Sequence, residues 1–201
     1  RLGAILRSTQ AALIRRPPNF QIATLMNKTF KRRDLSLVGR EDPFQAIGHE
    51  WLLITAGTPT HYNMMTASWG MLGILWNKPV ATIFIRPERY THDFIETTDR
   101  LTLSLLGDHR EAYKICGSKS GRDLDKTAAA GLHPATLPDD LVTFAEARLV
   151  LVCRKLYKST LRADEFMDAQ PYDRHYSPKE GNLHDVYVCE IEAVYAPEGD
   201  A

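Results

Sequence analysis

Cysteine is scarce in this chain: 201 residues contain three, Cys116, Cys153 and Cys189. An odd number with no CxxC spacing excludes a disulfide framework and a cysteine-type zinc site. Cys153 and Cys189 stand inside apolar strand-like runs, so they read as buried, inert thiols. The seven histidines show no HExxH or comparable pair, and no metal site is expected. Neither GxxxxGK[ST] nor GxGxxG occurs, so no nucleotide fingerprint is available to argue from. No apolar run reaches the length of a membrane span, and no signal-peptide core with a cleavage site is evident; the chain reads as soluble and cytoplasmic.

Net charge is lacking too, since 25 basic residues balance 25 acidic ones. The balance is uneven along the chain. Residues 1–33 contain no acid and eight of the cations, which leaves 17 basic against 25 acidic residues in 34–201. A mildly acidic folded part argues against nucleic acid or an anionic membrane as the main partner, because either selects a basic patch. The Arg-rich stretch RLGAILRSTQAALIRRPPNFQIATL precedes Met26 and reads as an artificial or mis-called extension, ranked above a transit peptide and above a functional basic arm. The expected division is therefore a basic, disordered extension over 1–33, one folded domain over 34–196 and a tail over 197–201. A hydrophobic content of 44% suffices for one sizeable core at this length.

What the folded part does contain is alternation. WLLITAG from Trp51 is a short apolar run ended by Gly57 and a turn-rich segment. PVATIFIRP sets Val80, Thr82, Phe84 and Arg86 on one face and Ala81, Ile83 and Ile85 on the other. In RLTLSLLG, Leu101, Leu103 and Leu105 alternate with Thr102 and Ser104. FAEARLVLVCRKLY and HDVYVCEIEAVY read as two further long strands. PERYTHDFIETTD predicts a short helix with Thr91 as N-cap, and REAYKICG and LDKTAAAGL predict a second helical region. DAQPYDRHYSPKEGN reads as a long surface loop. Strands without a helix after each one exclude a doubly wound fold and favour a mainly β architecture with short helices, an antiparallel barrel.

Three polar clusters fall at the ends of these elements. NMMTASWG combines small residues, which let a ligand approach the backbone, with Trp69 as a flat wall; a bulged strand with a core tryptophan is the plainer reading. IRPERYT places Arg86, Arg89 and Thr91 at a strand end and a helix start, the parts of a phosphate site, or equally a solvated turn. GSKSGRDLDK offers Ser118, Lys119, Ser120, Gly121, Arg122 and Lys126, with Asp123 and Asp125 as caps or ion-pair partners for the neighbouring cations.

The ordered set NMMTASWG, IRPERYTHDFIE, LTLSLL, ICGSKSGRDLDK, EARLVLVCRKLY and VYVCEIEAVY resembles the flavin reductase-like family, its flavoredoxin-type members above all, from about Phe44 to Tyr195. The resemblance implies an FMN-binding split β-barrel that forms a homodimer with flavin near the subunit interface. It implies that Asn63 and the Thr66–Trp69 backbone, through Ala67 and Ser68, line the isoalloxazine. Arg86, Arg89 and Thr91 with Lys119, Ser120 and Lys126 are the implied partners of the phosphate and ribityl chain, and Met64, Met65 and Tyr90 complete the cofactor-binding set. The implied activity is that of an FMN-dependent NAD(P)H oxidoreductase, a flavin or ferric reductase, with NADH or NADPH as electron donor and no side-chain acid required. His184 could line the site, although a lone histidine is more often structural. Two alternatives remain: a flavoredoxin-like electron carrier fed by a redox protein, and a barrel that has lost its flavin and serves as a binding module.

Overall fold

Two tight hairpins set the geometry of the molecule, a computed structural model that describes residues 28–176 and 182–199. β2 (Leu52–Thr58) and β3 (His61–Ala67) are joined by Pro59 and Thr60 alone. Gly57 next to this turn has φ of 116°, and a Cβ there would lie 2.3 Å from the His61 carbonyl oxygen, so only glycine fits. β4 (Gly70–Leu75) and β5 (Lys78–Ile85) are joined by Trp76 and Asn77, with φ of 52° and 57°. That left-handed pair forms the two-residue turn whose twist matches its strands.

β6 (Arg100–Leu105), β9 (Leu149–Thr160) and β10 (Asp185–Pro197) complete an antiparallel sheet in the order β3-β2-β6-β9-β10-β5-β4. β10 is long enough to change partner along one edge: β5 covers Asp185–Glu190 and β1 (Phe30–Arg33) covers Val194–Pro197. Register shifts at Val188/Cys189 and Ile191/Ala193 bend it between them. The two end strands, β3 and β4, are consecutive in the chain with only Ser68 and Trp69 between them. The sheet therefore curls until its edges meet, and the seam is closed by a covalent link instead of a ladder. The result is a split β-barrel, mainly β with short helices.

Period-2 alternation fills the interior. Leu101, Leu103 and Leu105 point inward with Ala81, Ile83 and Ile85 opposite. Thr102 and Ser104 point outward yet are buried, because β7 (Pro134–Leu137) and β8 (Leu141–Phe144) lie over them; Thr102 donates to the Val142 carbonyl (2.5 Å) and Ser104 bonds the Thr143 hydroxyl (2.9 Å). α1 (Tyr90–Thr97) contributes Phe94 and Ile95 to the barrel core, whereas α2 (Arg110–Ser118) buries Ala112, Tyr113 and Cys116 on the outer face of β2 and β3. α3 (Lys126–Ala129) is a single turn capped by Asp125. All three cysteines are buried free thiols.

Several sequence expectations differ from the structure. Phe30–Arg33 is a strand, not part of an extension outside the fold, and Glu198 in the expected tail donates its N–H to the Thr29 carbonyl. Residues 1–27, residues 177–181 of the expected surface loop, and Asp200 and Ala201 of the expected tail lie outside the described residues. The run from Phe144 to Tyr157 is not one strand: Ala145–Arg148 turns back, and β9 begins at Leu149. The surface loop contains α4 (Ala169–His175), whose first turn is capped by Asp168. Thr91 is not an N-cap; Arg89 holds that position and Thr91 is buried inside the first turn.

The turn before β9 is held by Arg148, which donates to both carboxylate oxygens of Glu41 (2.8 Å each) and to both of Glu50 (3.0 Å to Oε1 and 2.5 Å to Oε2). These carboxylates raise the already high pKa of the guanidinium. Arg148→Met would leave two mostly covered carboxylates side by side without a cation. The expected loss is about 2 kcal/mol, less than for a fully buried pair because water reaches the guanidinium. A urea unfolding curve checks this, with the midpoint lowered and the slope unchanged.

Candidate functional site

Among the described residues β3 pairs with β2 only, so along its other edge alternate backbone N–H and C=O groups have no ladder partner there. Around this edge α1, α2, the loop 118–125 and α3 gather. Thr66 donates to the Tyr113 carbonyl (2.6 Å), and its side chain lies so near Gly117 that a Cβ there would stand 3.3 Å from it. Arg122 fixes the loop to α1: it donates to the Glu88 carbonyl (3.2 Å) and the Asp93 carboxylate (2.6 Å), and covers the Tyr90 ring at 4.5 Å.

Between that loop and α1 lies a cavity of about 140 Å³ lined by Glu88, Arg89, Tyr90, Thr91, Ser118, Lys119, Ser120 and Lys126. α1 starts here without a side-chain cap among the described residues; the Arg89 and His92 N–H groups bond the Arg86 and Arg89 carbonyls, which leaves those of Tyr90 and Thr91 for an acceptor. Arg89 donates to the Gly117 carbonyl (2.6 Å), and Lys126 donates to the Met64 carbonyl and approaches that of Cys116 (3.5 Å). Both cations thus sit at the C-terminal carbonyls of α2, where the helix dipole favours positive charge. Lys126 is 4% exposed, and burial pulls its pKa down to about 8. Lys119 is exposed and makes no ion pair among the described residues. Tyr90 and Lys126 also border a larger hollow of about 290 Å³ with Tyr62, Asn63, Gly121 and Thr127. Asn63 is buried there, donating to the Thr91 hydroxyl (2.9 Å).

A third cavity of about 200 Å³ opens at the barrel seam, lined by Met65, Thr66, Ala67, Ser68, Trp69, Phe84, Arg86 and His184. Trp69 is 43% exposed and has the His175 ring at 4.9 Å and the His184 ring at 5.3 Å. His184 bonds the Tyr176 hydroxyl through Nδ1 (2.7 Å), and burial, with the nearby Arg86 charge, pulls its pKa down to about 4. It is therefore neutral at physiological pH.

The fold brings Arg89, Tyr90, Thr91, Lys119, Ser120 and Lys126 together at α1, and Met65 through Trp69 together at the seam. It parts Arg86 from the first group and sets it in the second. Asn63 and Met64 both border the larger hollow at the α1 end, the Met64 side chain being buried beneath α2 and its carbonyl accepting from Lys126. Sequence reasoning missed Phe84 and the contribution of α4 with Tyr176. A signal for α4 was present in Asp168 with Pro171 in the first turn and Arg174 and His175 in the last.

Such an arrangement can take a phosphate monoester at α1 and a flat heteroaromatic along the free edge of β3. Residues 44–201 match the family model described as flavin reductase like domain, and the chain belongs to that family. A comparison with curated proteins gives no match. Among solved structures, an FMN-binding domain of a flavin reductases-like enzyme from Shewanella baltica is 17% identical with a TM-score of 0.58, covering 84% of this chain and 78% of that one. Flavoredoxin from Methanosarcina acetivorans is 20% identical with a TM-score of 0.56, covering 74% and 69%. An FMN-binding protein from Thermus thermophilus with bound 1-cyclohex-2-enone is 21% identical with a TM-score of 0.56, covering 79% of each. At these identities the likeness establishes the fold.

Proposed function

We propose that this protein is an FMN-binding flavoprotein oxidoreductase of the flavin reductase type that takes electrons from NADH or NADPH. The observation that carries the reading is the cavity at α1, where two segments about 30 residues apart supply an uncapped helix start, a guanidinium, an ammonium and hydroxyls to one small space. Those donors fit the phosphate of FMN. Lys119, Ser120 and the first N–H groups of α1 would take its oxygens, with Lys126 and Arg89 supplying charge from behind while they hold the end of α2. Asn63 and Thr91 would meet the ribityl chain, and the free edge of β3 from Thr66 to Ser68 would present backbone donors to the ring, with Trp69 beside it. When bound, FMN supplies two-electron redox chemistry, accepting hydride from a dihydronicotinamide. The protein then binds, orients and keeps water from the ring without furnishing a side-chain acid.

The homodimer is part of the same proposal. β4 is an edge strand, and Met71, Ile74, Leu75, Trp76 and Tyr157 are exposed around its hairpin, an apolar surface suited to a second copy. Among the described residues no helix is long and apolar enough to cross a membrane, and the three free thiols suit a reducing cytoplasm.

An absorbance spectrum of the purified, FMN-reconstituted protein, taken before and after anaerobic addition of NADH or NADPH, tests the reading. Flavin bands that bleach within seconds support it and name the donor. Bands that persist until a redox protein is added point to an electron carrier, and a protein that takes up no FMN overturns the proposal. Light scattering at known concentration checks for two copies.

A further inference from the structure

Arg86 stands apart from the other cations near the site. Its guanidinium lies over the Tyr176 ring at 5.2 Å and donates to the His175 carbonyl at 2.7 Å, so α4 and the residue after it hold it in place. One of its five N–H groups is used in this way, and among the described residues it pairs with no carboxylate. The cavity it borders is that of the seam, walled by Trp69, Phe84 and His184 and lined by no acidic residue among those described. His184, buried and bonded to Tyr176, adds no charge at neutral pH. The cavity thus has one fixed positive group beside an exposed tryptophan, at the end of β3 away from the phosphate-type pocket. Its volume of about 200 Å³ has room for one charged group and part of a ring, not for a whole dinucleotide.

We propose that this seam cavity is an anion-recognising subsite for the diffusible redox substrate, with Arg86 receiving a phosphate or carboxylate of that substrate while the FMN phosphate is held elsewhere. The inference rests on the flavin reading given above. A planar guanidinium fixed by a ring and a carbonyl is suited to bidentate recognition of either oxyanion. The two sources are a dinucleotide electron donor, through its diphosphate, and an anionic acceptor such as a ferric carboxylate chelate.

The experiment compares FMN-loaded wild type with Arg86→Gln and Arg86→Lys. FMN affinity is read by fluorescence, and inorganic pyrophosphate affinity on the loaded protein by calorimetry. The two half-reactions are read by stopped flow. In Arg86→Gln the FMN Kd is expected to stay within about twofold and pyrophosphate affinity to fall about tenfold, with partial recovery in Arg86→Lys. If the substrate anion is a phosphate, the rate with NADH or NADPH falls about tenfold relative to that with N-benzyl-1,4-dihydronicotinamide, which carries none. If it is a carboxylate, oxidation of dithionite-reduced protein by ferric citrate falls by as much relative to oxidation by benzoquinone. An FMN Kd that rises tenfold gives Arg86 to the cofactor and overturns the inference, as do unmoved ratios with or without a lowered unfolding midpoint. Wild-type protein that binds no FMN sinks the flavin reading itself, whereas bound FMN with unmoved ratios sinks this inference alone.

Discussion

Gly121→Ala is expected to weaken FMN binding about tenfold or more while the chain still folds. A Cβ at this position would lie 2.3 Å from Asn63 Oδ1, 3.0 Å from Asn63 Cγ and 3.1 Å from Tyr90 Cδ1. Gly121 is not among the residues with left-handed φ, so the demand is for space alone. Neither neighbour can give way cheaply. Asn63 is buried, and rotating it breaks its bond to Thr91 in the first turn of α1. If the loop retreats instead, Ser118, Lys119 and Ser120 move away from α1, against the bonds that Arg122 makes to Glu88 and Asp93. Both responses open the pocket that would take the phosphate. Forced overpacking costs about 1–3 kcal/mol, and each 1.4 kcal/mol or so that falls on binding is tenfold in affinity.

A fluorescence titration with FMN checks this, with Gly39→Ala as control because nothing lies within 4 Å of a Cβ there. Wild-type affinity in Gly121→Ala would remove the loop 118–125 from the site. The matching stability measurement separates the two responses. A retreating loop leaves the barrel intact and the unfolding midpoint near that of wild type, whereas a rotated Asn63 loosens α1 and lowers it.

Much of the barrel was legible because a half-buried strand writes its period into the sequence. Ala81, Ile83 and Ile85 alternate with Val80, Thr82 and Phe84, and the structure sets the first three in the core. The turn at Ala145–Arg148 was not legible, since FAEARLVLV contains no glycine or proline and the chain reverses there because Arg148 reaches Glu41 and Glu50 more than 90 residues away. Phe30–Arg33 was hidden by its charge: Lys31 and Arg32 are both exposed, and only pairing with Val194–Pro197 makes the segment a strand. In the candidate site, residue types that suit phosphate were readable, and six of them do line one cavity. Their distribution was not. Arg86 and Arg89 are three residues apart, yet the turn closed by Arg89 N–H on the Arg86 carbonyl sends their side chains to different cavities. Nor does any local pattern tell that a histidine before a strand and a tyrosine after a helix bond each other beside Trp69.

Lys126 ties the cofactor to pH, and the protein's two states should respond with opposite signs. Burial is the main cause of its low pKa of about 8; Cys116 opposes the shift and the Arg89 charge adds to it. In the unfolded chain the group returns to 10.5. Between these values the unfolded state holds the proton more tightly than the folded one, so the stability of the FMN-free protein rises with pH across that window. A phosphate dianion in the α1 pocket favours the ammonium instead. FMN binding then takes up a proton above pH 8, and affinity falls as pH rises, with a limiting slope of about tenfold per unit. Titrations at pH 7, 8, 9 and 9.5 are expected to give a Kd that rises about twofold by pH 8, about tenfold by pH 9 and about thirtyfold by the last point. Lys126→Met keeps the bulk and removes the charge, so it should bind FMN weakly at pH 7 with no such rise. A slope that survives in this variant would assign the titration to another group and leave Lys126 as the anchor of α2 only.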